Sequence, residues 1–133
     1  MKPKILIIDD DPVSLLMVSA IVEKAGYQPL TARDAQTALE ILRKEKPVLI
    51  IQDLSLPDLD GFHLVQCIHR MPDFKEIPVI IVSGHDGRIA SVQSSSEHFD
   101  AILLKPVNKE KLLDAIQKYL PENISTSQFK MRS

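Results

Sequence analysis

Four short apolar runs constrain this chain more than any other feature of its sequence. They read ILII at 5–8, VLII at 48–51, VIIV at 79–82 and AILL at 101–104. A run without alternating polar residues is typical of a strand that is buried on both faces of its sheet. The chain is therefore predicted to form a sheet that is covered on both sides.

Stretches with helical periodicity separate these runs. The first helix carries one apolar stripe that we expect to face the core: Val13, Leu16, Met17, Ala20 and Ile21. Further helices are predicted at about 35–42, 61–70 and 108–119, a short or mobile one at 87–97, and a weaker strand at 27–32. Regular alternation of strand and helix favours an α/β fold with a parallel sheet and right-handed crossovers.

The size, charge and cysteine content of the chain exclude several protein classes. A length of 133 residues fits one domain, predicted over 1–120, followed by a polar tail or linker stub at 121–133. A net charge of −2 leaves no basic excess for nucleic acid, and no apolar run approaches the roughly 20 residues of a membrane span. We expect a cytoplasmic protein without a disulfide, because Cys67 is the only cysteine, and we expect Cys67 in the core.

Charged and hydroxyl side chains stand where the predicted strands end. Asp9 and Asp10 follow the first predicted strand, Asp53 the third, Ser83 the fourth and Lys105 the fifth. The carboxyl ends of parallel strands form the usual ligand crevice of such a sheet. Carboxylates about 4 Å apart repel by roughly 4 kcal/mol at an effective dielectric near 20, so this group needs a cation, and Mg²⁺ suits such ligands. A carboxylate facing Mg²⁺, a hydroxyl and an ammonium group is suited to attack a phosphoryl group, giving an aspartyl phosphate.

Four motifs together carry a specific resemblance: ILIIDDDP at 5–12, IIQDLSLPDLDG at 50–61, IIVSG at 80–84 and LLKP at 103–106. Over residues 2–120 the chain resembles a response-regulator receiver domain of two-component signalling. The resemblance implies a flavodoxin-like, doubly wound sheet of five parallel strands in the order 2-1-3-4-5. It also implies a phosphorylation-operated switch, whose phosphoryl donor is a sensor histidine kinase or a phosphotransfer protein. Such a domain catalyses only its own aspartyl phosphorylation and dephosphorylation.

The resemblance also assigns a magnesium site. Asp53 is similar to the family's phosphoacceptor, and Asp10 to its direct Mg²⁺ ligand. Asp9 corresponds to the acidic partner that acts mainly through metal-bound water. Ser55 corresponds to the residue whose backbone carbonyl binds the ion.

Ser83 and Lys105 resemble the hydroxyl and the ammonium group that contact the phosphoryl group, and the Lys105–Pro106 peptide is commonly cis in the family. Ile102 departs from the family, which commonly has Tyr or Phe there as part of its switch. Other departures surround the fourth helix, fifth strand and last helix, a face often used for partners or homodimers. His85, like Ser55, stands where the family tunes the access of water to the phosphoryl group.

Other interpretations remain for parts of this pattern. Asp11 is expected to cap the first helix, and Asp58 and Asp60 are expected to be turn or cap residues. An aspartate-nucleophile phosphatase commonly has a second aspartate where Ser55 stands, and a flavodoxin-like cofactor binder would need a glycine-rich loop after the first strand. A receiver that acts without phosphorylation is the last alternative.

Overall fold

The secondary structure follows the predicted alternation of strands and helices. The computed structural model describes residues 2–84 and 99–120. Its elements are β1 (Lys4–Ile8), α1 (Pro12–Lys24), β2 (Gln28–Ala32), α2 (Ala35–Glu45), β3 (Leu49–Gln52), α3 (Gly61–His69), a 3₁₀ turn (Pro72–Phe74), β4 (Val79–Ser83), β5 (Ala101–Leu104) and α4 (Lys109–Tyr119). The helix predicted at 87–97 and the tail predicted at 121–133 lie outside the described residues. Among the described helices, none has the length and apolar content needed to span a membrane.

The five strands form one parallel sheet in the order β2-β1-β3-β4-β5, which confirms the predicted fold. The order of the strands reverses direction between β1 and β3. Ile8 pairs with Gln52, and the Asp53 amide donates to the Ile8 carbonyl at 2.9 Å. The residues that follow β1 and β3 therefore emerge side by side at the switch point of the sheet.

The side chains of the buried strands pack into two separate cores, one on each face of the sheet. Ile8 and Ile50 pack with α2 and α3 on one face of the sheet, whereas Ile7 and Ile51 pack with α1 and α4 on the other. All four are at most 1% exposed. Burial on both faces explains why the apolar runs show no alternation.

Two predicted helix caps are confirmed. The Asp11 carboxylate accepts a hydrogen bond from the Val13 amide, and Pro12 occupies the first helical position of α1. The Asp60 carboxylate accepts from the Phe62 amide at 2.8 Å and begins α3. Both caps set the direction in which the chain leaves the carboxyl edge of the sheet.

The predicted core stripe of α1 is wrong. Leu16 is 74% exposed and Val13 is 62% exposed, whereas Leu15, Val18 and Val22 form the buried face. The residues at 15–18 are all apolar, so periodicity in the sequence allowed either face. Packing against the face of the sheet that also carries α4 buries the Leu15 side of α1 and leaves the Leu16 side in solvent.

The expected core position of Cys67 is also wrong, because its side chain is exposed. The buried face of α3 consists of Gly61, Leu64, Val65 and Ile68. These positions follow the i, i+3, i+4, i+7 pattern, which places residue 67 outside the stripe.

Candidate functional site

Three aspartates meet at the carboxyl edge of the sheet. One carboxylate oxygen from each of Asp9, Asp10 and Asp53 lies within 4.8 Å of the others. Asp9 and Asp53 are 4% and 7% exposed, whereas Asp10 is open to solvent. The structure thus brings together the three carboxylates that the sequence predicted, with two of them largely removed from water.

The Lys105 ammonium bridges the two buried carboxylates. Its Nζ lies 2.8 Å from Asp9 Oδ2 and 3.0 Å from Asp53 Oδ2. The Lys105 amide donates to the Ser83 carbonyl at 3.0 Å, and the Lys105–Pro106 peptide is cis, as the resemblance implied. Burial alone lowers the pKa of Lys105, but hydrogen bonds to Asp9 and Asp53 outweigh it, so the pKa is raised and the ammonium keeps its charge.

The remaining carboxylate oxygens differ in how they are satisfied. Asp9 Oδ1 accepts from the Asp11 amide at 2.9 Å, and Asp53 Oδ1 accepts from the Ser55 amide at 3.3 Å. Within the part of the chain that the structure describes, the Asp10 carboxylate has no hydrogen-bond or ion-pair partner. The Asp10 oxygens are therefore the most accessible ligands for a cation.

The charge of the cluster favours a divalent cation. Burial raises the pKa of Asp9 above its ordinary value, despite the opposing hydrogen bond from Lys105, and the nearby Asp53 charge acts in the same direction as burial. One ammonium faces three carboxylates, so negative charge is in excess. Among the described residues this cluster combines carboxylates alone, with no thiolate or imidazole ligand, and such a donor set fits Mg²⁺.

Two serines that the sequence predicted for the site also follow or end strands at this edge of the sheet. Ser83 is 1% exposed and ends β4, the strand next to β3. Ser55 is exposed and forms an isolated antiparallel bridge with Asp60, which closes the loop after Asp53. His85, for which the resemblance implied a part in the access of water, lies outside the described residues.

Sequence reasoning missed Gln52, which shapes this loop, and it did not predict the close packing that requires Gly61. Gln52, at the end of β3, is 1% exposed and donates from Nε2 to the Gly61 carbonyl at 2.9 Å. A Cβ on Gly61 would lie 2.7 Å from Leu54 Cα, so only glycine fits there. The visible signal was a glutamine within a buried apolar strand, where a polar side chain needs a partner.

The family assignment rests on this geometry together with a sequence match. The model of the response regulator receiver domain family matches residues 5–117, a range that contains the three aspartates and Lys105. The chain belongs to the response-regulator receiver family. Receiver domains are phosphoacceptor signalling switches, they interact with histidine kinases or phosphotransfer proteins, and they generally bind Mg²⁺.

Individual relatives match along nearly their whole length. Protein PilH of Pseudomonas aeruginosa is 33% identical over 117 residues, which cover 88% of this chain and 97% of PilH. Sporulation initiation phosphotransferase F of Bacillus subtilis is 35% identical over 127 residues, covering 91% and 96%. The structure of a chemotaxis response regulator of Vibrio cholerae matches with a TM-score of 0.82 at 28% identity, covering 90% of this chain and 100% of that one.

One position of this receiver domain differs from the family pattern in a way that bears on switching. Ile102 on β5 is half-buried and packs against the core on the α2 and α3 side. An aliphatic side chain there has no ring to rotate toward or away from the phosphorylation site. A conformational response at this position therefore cannot be the rotation of an aromatic ring.

Proposed function

We propose that Asp53 is the phosphoacceptor of this receiver domain. The observation that carries the proposal is the position of its carboxylate, which follows the middle strand of the sheet, lies 3.0 Å from the Lys105 ammonium and has an oxygen within 4.8 Å of oxygens of Asp9 and Asp10. Of the three clustered carboxylates, it alone ends the middle strand. The fold and the family match support the same assignment.

The proposed reaction is a phosphoryl transfer between two proteins. An Asp53 carboxylate oxygen attacks the phosphorus of a phosphohistidine on the donor. The new oxygen–phosphorus bond forms as the nitrogen–phosphorus bond breaks, and the imidazole leaves with the bonding electron pair. In dephosphorylation, a water oxygen attacks the same phosphorus as the bond between phosphorus and the Asp53 oxygen breaks. The electron pair returns to the Asp53 carboxylate, and the protons of the water pass to the inorganic phosphate and the solvent.

Each neighbour of Asp53 has a proposed part in this reaction. Asp9, Asp10, Asp53 and the Ser55 backbone carbonyl would hold Mg²⁺, which offsets the negative charge of the transferring oxygens. The Lys105 ammonium, which contacts Asp53 directly, would pair with a phosphoryl oxygen. The Ser83 hydroxyl would donate to another.

Intact-mass spectrometry after incubation with acetyl phosphate, with and without Mg²⁺, tests this function. We expect one phosphoryl group per chain, dependent on Mg²⁺ and lost in Asp53→Asn. Asp73→Asn serves as the matched control, since Asp73 is exposed and, among the described contacts, pairs with the exposed Lys46. Equal labelling of wild type and Asp53→Asn would assign the acceptor elsewhere, and a folded wild type without any labelling would favour a receiver that acts without phosphorylation.

We also propose that the exposed apolar face of α1 binds the phosphodonor protein. Val13 and Leu16 are 62% and 74% exposed, and Met17 is 45% exposed. A cavity of about 340 Å³ beside them is lined by Met17 and by the Lys105–Pro106 segment, so the face is continuous with the phosphorylation site. A donor whose histidine reaches Asp53 would cover this face and bury its apolar area.

Substitution of Leu16 by lysine tests this surface, because it separates the two kinds of donor. We expect Leu16→Lys to keep labelling by acetyl phosphate but to slow transfer from a phosphohistidine protein that labels the wild type, by about tenfold. Val48→Lys is the control, since Val48 is 39% exposed and precedes β3, away from the carboxyl edge. Equal transfer rates for both variants would reject α1 as the docking surface.

Self-association and location complete the proposal. We propose a homodimer through the face formed by segment 87–97, β5 and α4. Leu104, which is 54% exposed on the edge strand β5, supports this face, whereas 87–97 lies outside the described residues. Light scattering with and without acetyl phosphate would show a dimer that Leu104→Lys disrupts, and a monomer in both conditions would reject it.

The cytoplasmic location and the domain boundary at residue 120 remain predictions.

A further inference from the structure

Asp58 connects the loop after Asp53 to a different part of the fold. Its Oδ1 accepts from the Ala35 amide at 2.9 Å, and its Oδ2 accepts from the Gln36 amide at 3.1 Å. Both amides belong to the first turn of α2, and each is more than 20 residues away in sequence. A single carboxylate therefore ties this loop to a helix that packs on one face of the sheet.

The amides at this end of α2 are divided between two carboxylates. Asp34, the local cap, accepts from the Thr37 amide at 2.7 Å. The Ala35 and Gln36 amides remain, and Asp58 satisfies both. The exposed amides at the start of a helix favour a negative charge there. The hydrogen bond from the Ala35 amide, and to a smaller extent that from the Gln36 amide, holds the pKa of Asp58 below its ordinary value.

The same turn also contacts the other acidic loop of the site. Arg33, two residues before α2, donates from Nη2 to the Asp10 backbone carbonyl at 3.2 Å. The segment 33–36 thus touches the loop after β1 through Arg33 and the loop after β3 through Asp58. It holds the two loops that carry the aspartates at a fixed separation.

The loop that Asp58 holds contains the carbonyl proposed to bind Mg²⁺. Ser55 is three residues before Asp58 and is itself exposed, with the isolated bridge to Asp60 on its other side. Without the Asp58 contacts, the packing of Leu56 and Leu59 against the core would remain, but the described contacts would include no hydrogen bond from the segment 56–59 to α2. Freedom in that segment would spread the positions that the Ser55 carbonyl can take.

We propose that Asp58 is a positioning residue that, through its hydrogen bonds to α2, presets the Ser55 carbonyl for Mg²⁺ without binding the ion itself. This inference rests on the proposed function of the aspartate cluster. Substitution of a residue that orients a metal ligand commonly lowers the metal affinity by about 10- to 100-fold. Because this loop is partly exposed, we expect an effect of about 10-fold.

The test compares two variants that lose the same charge. Asp58→Ala removes both acceptor oxygens, whereas Asp58→Asn keeps one. Mg²⁺ affinity is measured without phosphodonor, by titration of amide chemical shifts in nuclear magnetic resonance spectra. We expect binding about tenfold weaker in Asp58→Ala, an intermediate affinity in Asp58→Asn, and wild-type affinity in Asp73→Ala, an exposed acid away from the site.

Two further readouts separate positioning from loss of stability or of charge. Amide hydrogen exchange at Ala35 and Gln36 should accelerate in Asp58→Ala while the strand amides stay protected, and labelling at saturating Mg²⁺ should match the wild type. Equal Mg²⁺ affinity in Asp58→Ala and Asp58→Asn, or wild-type affinity in both, would overturn the inference and leave the proposed function intact. A wild type that binds no Mg²⁺ would instead reject the metal site and this inference with it.

Discussion

At the scale of single residues, Gly61 leaves no room for a side chain, because backbone atoms of the loop after Asp53 lie against it. A Cβ at Gly61 would lie 2.7 Å from Leu54 Cα and 2.9 Å from the Asp53 carbonyl oxygen. Because both are backbone atoms, Gly61→Ala must displace the loop that begins at Asp53. We expect a loss of roughly 1–3 kcal/mol in the free energy of unfolding, measured with urea, together with slower phosphorylation.

Gly84→Ala is the matched control for this prediction. A Cβ there would meet Lys105 Cβ at 3.7 Å, which is ordinary van der Waals contact. Its unfolding free energy should stay within about 0.5 kcal/mol of the wild type. Equal losses in the two variants would show that close approach at Gly61 does not constrain the loop.

The residues of the site were predictable to different degrees. Asp9, Asp10, Asp53 and Lys105 were accessible from the sequence, because each follows an apolar run that itself predicts a strand. The roles of Asp58 and Gln52 were not. Their partners, α2 and the Gly61 carbonyl, depend on how loops and helices meet in three dimensions, which spacing along the chain does not encode.

At the scale of elements, α1 shows where sequence patterns fail. Strand runs were located to within a residue or two, since burial on both faces leaves little ambiguity. In α1, Leu15 and Leu16 are adjacent leucines, yet Leu15 is 8% exposed and Leu16 is 74% exposed. Only packing against the sheet and α4 decides which leucine is buried.

This pair of leucines gives a prediction for stability. Leu15→Ala should lower the free energy of unfolding by about 2–3 kcal/mol, because it leaves a cavity in the core. Leu16→Ala should change it by less than about 0.5 kcal/mol, because its side chain is already in solvent. Urea denaturation of both variants checks this, and a larger loss in Leu16→Ala would mean that α1 packs through the other face.

At the scale of the whole molecule, the aspartate cluster links the metal to global stability. Lys105 and the three aspartates join the ends of β1, β3 and β5, so a bound cation would strengthen the fold as a unit. Mg²⁺ at 100 times its dissociation constant should add about 2.7 kcal/mol to the free energy of unfolding, relative to the protein in EDTA. Thermal unfolding followed by circular dichroism measures the difference, and no shift would contradict the metal site.

The gain from Mg²⁺ should depend on pH. Burial raises the pKa of Asp9 above its ordinary value of 3.8, so in EDTA the folded state holds this proton more tightly than the unfolded state does. The Asp9 contribution to stability is thus present below pH 3.8 and is lost as pH rises through the raised pKa. Mg²⁺ needs ionised ligands, so the stabilisation by Mg²⁺ should increase as the pH rises through the raised pKa of Asp9. Asp9→Asn lacks this titrating group and serves as the control. A stabilisation by Mg²⁺ that does not change with pH in the wild type would contradict the role of Asp9.

The most direct test of the account is to locate the phosphoryl group on the chain. Borohydride reduces an aspartyl phosphate to homoserine, so phosphorylation with acetyl phosphate and Mg²⁺, followed by reduction and peptide mass spectrometry, marks the acceptor residue. The account predicts homoserine at position 53 and at no other aspartate. Homoserine at position 9 or 10, or none in a fully phosphorylated sample, would contradict it.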